Sequence, residues 1–175
     1  MASAVSTARP RPSARDLARL RGQSFGLLVM LIVQFAIGIV VNLYVTVPAA
    51  DKGGFFGALG KALSNGPAAL ASHAGLGLLI VLAALVLIAR AIVIRHTATI
   101  VLSVLGLLSI LGAAANGIRF VADGGPDNAS LAMALAAAGA MLWHASPVRA
   151  RQHAAARRLT IARPALSHYG CVAAR

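Results

Sequence analysis

Four polar side chains lie inside long apolar stretches of the chain, and their types are those that could do chemistry there. They are Asn42, His73, Asn116 and Ser130. An imidazole can ligate a metal or exchange a proton, and amide and hydroxyl groups can orient a small bound molecule. Because a polar group inside a membrane is costly, each of these residues is a candidate functional residue.

The spacing of these residues predicts that they share a depth in a membrane. Asn42 and Asn116 lie six and seven residues before a loop, and His73 lies six residues after one. Ser130 opens the last apolar stretch. At 1.5 Å per helical residue, the four fall within roughly two helical turns of one another. The sequence therefore predicts a polar layer with one residue from each of four helices.

This layer has three interpretations, which the sequence leaves open. The first is structural, because asparagine and serine hydrogen-bond across membrane helices at about 0.6 kcal/mol per bond. The second is a ligand or cofactor held by His73, and the third is a transport path. Gln34 lies mid-helix and alone at its depth, so we expect it to bond the backbone of a neighbouring helix.

Four apolar runs must position these residues, at 24–47, 69–89, 97–118 and 129–145. Each is close to the roughly 20 helical residues that cross a hydrocarbon core. The chain of 175 residues is 59% hydrophobic and 11% charged, whereas soluble domains are about 25% charged. A soluble fold could not cover so much apolar surface. The sequence predicts an all-α fold, a four-helix transmembrane bundle over residues 24–147.

Basic segments flank this membrane domain. Residues 1–23 are predicted to form a cytoplasmic arm whose first half is disordered, because it is rich in proline and serine. Residues 148–175 form a basic tail. A signal peptide is the alternative interpretation of the first run, although the run's 24 residues exceed the roughly 7–15 of a signal-peptide core. Between the first two runs, a short interfacial helix is predicted from apolar residues at helical spacing: Phe55, Phe56, Leu59 and Leu63.

The basic residues are distributed unevenly between the two sides of this bundle. Thirteen of the 16 Lys and Arg residues lie in the arm, the tight hairpin at 90–96 and the tail, and three lie in the other loops. The positive-inside rule then predicts an up-down-up-down bundle with both termini cytoplasmic. Composition rich in alanine and arginine is typical of high-GC bacterial genomes, which indicates a bacterial inner membrane. The arm and tail are expected to bind anionic lipid headgroups.

Several activities lack the residues that they need. The formal net charge is +12, but no nucleic-acid-binding motif accompanies it, so nucleic acid is not a predicted partner. No apolar run contains Asp or Glu, which argues against proton-coupled cation export. The sequence has no H-E-x-x-H, phosphate-loop or serine-nucleophile motif. No catalytic or metal-binding residue is therefore assigned.

Four short motifs lie between residues 34 and 134, across most of the membrane domain. The first is Gln34-Phe35-x-x-Gly38-x-x-x-Asn42-Leu43-Tyr44-Val45-x-x-Pro48. The others are His73-Ala74-x-x-Gly77, Asn116-Gly117-x-x-Phe120 and Ser130-Leu131-x-Met133-Ala134. Together they resemble a family of small, uncharacterised bacterial four-span membrane proteins. The resemblance implies a four-span topology and singles out the polar layer, but it implies no reaction.

Gln34, Gly38 and His73 are also similar to one four-helix half of heme A synthase. In that family a Gln-x-x-x-Gly helix leads through an outer loop into a helix that opens with histidine, and paired histidines ligate haem. The resemblance implies His73 as a haem ligand. The chain departs from the pattern because its fourth helix opens without histidine, and His96 and His144 are predicted on the cytoplasmic side.

These observations favour a non-enzymatic membrane subunit or accessory factor, with a membrane protein or a second copy of the chain as its partner. The alternative is a haem- or quinone-associated membrane protein that uses His73 near the outer face. A small-solute permease is a second alternative, which the lack of charge in the apolar runs disfavours.

Overall fold

The computed structural model describes residues 13–46, 54–123 and 125–146. This part of the chain folds into five helices: α1 (Ala14–Tyr44), α2 (Phe55–Ser64), α3 (Ala68–Val93), α4 (Thr97–Ala122) and α5 (Asp127–Ser146). Four of them, α1, α3, α4 and α5, are long and apolar enough to cross a membrane. The predicted all-α fold with four apolar helices is therefore confirmed, and α2 confirms the short helix between the first two spans.

Some predictions fall on other parts of the chain. The expected disorder in the first half of the arm concerns residues 1–12, and the basic tail is residues 148–175. Pro48, the last residue of the first motif, is a third case. All three lie outside the described residues.

α1 begins ten residues before the predicted span. Its N-cap is Ser13, whose Oγ accepts a hydrogen bond from Asp16 N at 3.2 Å and donates one to Asp16 Oδ2 at 2.6 Å. The Asp16 carboxylate also favours the first turn because the amino end of a helix carries a partial positive charge. The segment predicted as an arm is therefore helical from Ala14 onward.

The four long helices pack as a ring. α1 packs on α3, and α3 packs on α4. α4 and α5 are antiparallel neighbours. Gly106 lies against His144 near the end of α5, and Gly117, later in α4, lies against Met133 near the start of α5. A hydrogen bond between Ser130 and Asn42 joins α5 to α1. The short helix α2 packs on α3 and α4.

A three-residue connection joins α3 to α4, as the sequence predicts. Arg95 has φ +56°, a left-handed conformation that reverses the chain sharply. The His96 ring then caps α4, because its Nδ1 accepts a hydrogen bond from Thr99 N at 3.2 Å. Thr99 Oγ1 lies 2.7 Å from the same nitrogen. The turn therefore satisfies one of the first amide groups of α4, that of Thr99, without a longer loop.

Two apolar clusters form the interior of the bundle. The larger one draws on all four long helices, and its buried members are Leu20, Leu27, Leu31, Ile80, Ala84, Leu87, Ala91, Ile110 and Ala140. The smaller one includes Ala62 of α2, which fixes the short helix to the bundle. Many leucines on the long helices, such as Leu82 and Leu135, are exposed. An apolar surface of this kind is what a lipid environment stabilises.

Candidate functional site

His73 of α3 faces Gln34 of α1. The Gln34 side-chain nitrogen donates a hydrogen bond to His73 O at 2.9 Å and lies 3.3 Å from His73 Nε2. Because His73 O can only accept, the Gln34 side chain is oriented with its nitrogen, rather than its oxygen, beside it. The second hydrogen of that nitrogen then points toward the His73 ring. The ring therefore accepts at Nε2 and carries its proton on Nδ1.

This pair tests two expectations for Gln34. The expectation that it bonds the backbone of a neighbouring helix is confirmed by the bond to His73 O. The expectation that it stands alone at its depth is wrong, because the His73 ring lies beside it. The number of residues to the nearest loop gives the depth of a Cα atom but not of the side-chain atoms. The long Gln34 side chain bridges the difference in depth and reaches His73.

Two glycines allow α1 and α3 to approach closely around the pair. A Cβ atom at Gly38 would lie 3.0 Å from His73 Cε1, and one at Gly77 would lie 3.3 Å from Gln34 Nε2. Gly38 follows Gln34 by four positions, and Gly77 follows His73 by four. Each polar residue and its glycine therefore lie on the same face of their helix. The two Gln/His-x-x-x-Gly motifs therefore describe one interlocking contact between α1 and α3.

The other predicted layer residues form separate contacts. Ser130 Oγ donates a hydrogen bond to Asn42 Oδ1 at 3.0 Å, so α5 and α1 are joined. Asn116 Nδ2 donates to Gly112 O of its own helix at 2.9 Å. The hydrogen bonds of the described residues do not link either asparagine to His73. The four residues thus divide into separate contacts, because a common depth does not determine which way each side chain faces.

His144 of α5 is a core residue that the sequence analysis did not identify. Its side chain is only 1% exposed, and its Nε2 has no hydrogen-bond partner among the described residues. A Cβ atom at Gly106 would lie 3.0 Å from His144 Cε1 and 3.1 Å from Cδ2, with Nε2 nearer still. The glycine itself was the available signal, since small residues in an apolar helix mark a close approach.

The half-buried His73 and the buried His144 lie at different levels of the bundle. His73 lies five residues after the start of α3, at one end of the bundle. His144 lies level with Gly106, which is nine residues after the start of α4, and α4 starts at the other end of the bundle. The separation along the bundle is roughly 16 Å at 1.5 Å per residue. The described residues contain no group of three or more His, Cys, Asp or Glu side chains that could hold a metal ion.

The His73 ring offers a donor rather than a free lone pair. Its Nε2 lies against the Gln34 amide, and its Nδ1 is buried without a hydrogen-bond partner among the described residues. A haem iron needs an unprotonated ring nitrogen that faces open space. The observed arrangement does not fit a haem, whereas an N–H group can donate to a carbonyl oxygen of a ligand.

Comparison of the chain with protein-family models, with curated proteins and with solved structures finds no match. The two resemblances described above therefore remain expectations that rest on the motifs alone.

Proposed function

We propose that this chain is a multi-pass protein of a bacterial inner membrane that acts as a non-enzymatic subunit or accessory factor. The observation that carries the proposal is the use of the polar side chains in the long helices. Gln34 and His73 join α1 to α3, and Ser130 and Asn42 join α5 to α1. Such contacts hold the helices of the chain together, which supports a structural rather than a catalytic role for these side chains.

The orientation belongs to the same proposal. The bundle crosses the membrane up-down-up-down with both termini in the cytoplasm. Support comes from the thirteen basic residues on the side of the termini and of the α3–α4 turn, against three on the other side.

Reporter fusions at Ala58 and Ala165 test this orientation. We expect a periplasmic reporter to be active at Ala58 in α2, and a cytoplasmic reporter to be active at Ala165 in the tail. The physical reason is the cost of translocating Arg-rich flanks. A cytoplasmic signal from Ala58 would refute the orientation, whatever the function of the protein.

A quinone-associated protein is the second candidate. The buried Nδ1–H of His73, which has no partner among the described residues, favours it because this group can donate a hydrogen bond to a quinone carbonyl. A haem-associated protein would need the His73 ring to turn away from Gln34.

Purification of the full chain in a mild detergent separates these functions. An assembly subunit should elute as a complex larger than the 17.8 kDa chain, with no haem absorption band and no extractable quinone. A quinone that co-purifies and is lost in His73→Gln, while the fold survives, would support the second candidate. A monomer without either would contradict both.

A further inference from the structure

At the end of the bundle opposite His73, α1 and α3 enclose an open groove of about 500 Å³. Its polar lining comes from Asp16, Arg19 and Gln23 of α1 and from Arg90 of α3. Apolar side chains of α3, among them Val93, complete it. The groove therefore combines two guanidinium groups from different helices with an apolar wall.

The charge of this groove is net positive. Arg19 and Arg90 are both exposed, and neither forms an ion pair with another described residue. The single carboxylate, Asp16, already accepts a hydrogen bond from Ser13 Oγ at 2.6 Å. Two unpaired guanidinium groups on facing helices form a suitable clamp for a phosphate, because arginine binds phosphate oxygens in a bidentate fashion.

The position of the groove identifies the source of such a ligand. Arg90 lies where the apolar run of α3 ends, which is the level of lipid headgroups if α3 crosses the membrane. Basic pockets between membrane helices at this level bind anionic headgroups. The exposed apolar residue Val93 offers a surface to the adjoining lipid.

We propose that this groove binds the headgroup of an anionic glycerophospholipid. The phosphate lies between Arg19 and Arg90. This inference rests on the transmembrane placement proposed above, but it concerns one defined site rather than the general attraction of the basic flanks.

Native mass spectrometry of the detergent-purified full chain tests the site, with phosphatidylglycerol as the probe. The double variant Arg19→Gln/Arg90→Gln should lose roughly 30-fold in affinity, as expected for two surface charges near a phosphate. The matched control is Arg15→Gln/Arg95→Gln, which removes the same charge from the same end of the bundle but outside the groove, and it should change the affinity less than about twofold.

Three outcomes would overturn the proposal. Equal weakening in the two double variants means diffuse electrostatic attraction rather than a site. Equal binding of phosphatidylcholine removes the need for an anionic lipid, and equally tight binding of free glycerol phosphate removes the need for a lipid. Thermal unfolding of each variant verifies the fold, and the Ala58 reporter tests membrane placement separately, so failure of the groove and failure of that placement are distinguishable.

Discussion

Gly106→Ala is expected to lower the free energy of unfolding of the bundle by about 1–3 kcal/mol, the usual cost of overpacking a filled core. The added methyl group would occupy the position of the His144 ring, whose nearest carbon lies 3.0 Å from that Cβ position. His144 is almost completely buried, so the ring has little room to move away. Unfolding in mixed detergents, followed by circular dichroism, measures the change.

Gly112→Ala is the matched control for this variant. It adds the same methyl group to the same helix, but the nearest atom, Ala136 Cβ, is 3.9 Å away. We expect the control to be neutral or slightly stabilising, because alanine favours a helix over glycine by up to about 1 kcal/mol. Adding His144→Ala to Gly106→Ala should recover part of the loss. Equal stabilities of the Gly106 and Gly112 variants would contradict the contact.

Gln34→Leu is expected to destabilise the bundle by about 1–2 kcal/mol. Interhelical hydrogen bonds in membrane proteins contribute about 0.6 kcal/mol on average and up to about 1.7. Here one amide group serves two acceptors, His73 O and His73 Nε2, and its loss leaves the ring without a partner at both nitrogens. The same detergent unfolding experiment measures this effect.

A double-mutant cycle separates this contact from simple loss of packing. Combining Gln34→Leu with His73→Leu should cost less than the sum of the single variants, because the two residues share one hydrogen-bonded contact. Ser64→Ala is a suitable reference, since Ser64 Oγ bonds only its own helix, at Gly60 O. Strict additivity between Gln34 and His73 would show that the contact between the Gln34 amide and His73 Nε2 does not contribute to stability, because His73→Leu keeps the bond to the backbone oxygen.

The four long helices were predictable because long apolar runs identify membrane helices by composition alone. The start of α1 was also present in the sequence, although it was missed. Ser13 lies three residues before Asp16, a spacing typical of a helix N-cap. The run of arginines that follows hid this signal, because basic residues near a membrane boundary are usually read as a flexible flank.

The partners of the polar residues were not predictable in the same way. The depth of a residue follows from its distance to a loop, but its direction around the helix depends on how that helix rotates in the bundle. Asn42 therefore contacts Ser130, whereas His73 contacts Gln34, which lies outside the predicted layer. The burial of His144 depends on Gly106, which lies 38 residues earlier in the chain.

The length of α1 has a consequence for how the chain would sit in a bilayer. α1 has 31 residues, about 46 Å of helix, whereas a hydrocarbon core is about 30 Å thick. A helix of this length either tilts or extends past the core by about 16 Å. Its first turns carry Arg15, Arg19 and Arg21, so in a membrane the excess length would place these residues among the headgroups while the apolar part of α1 crosses the core.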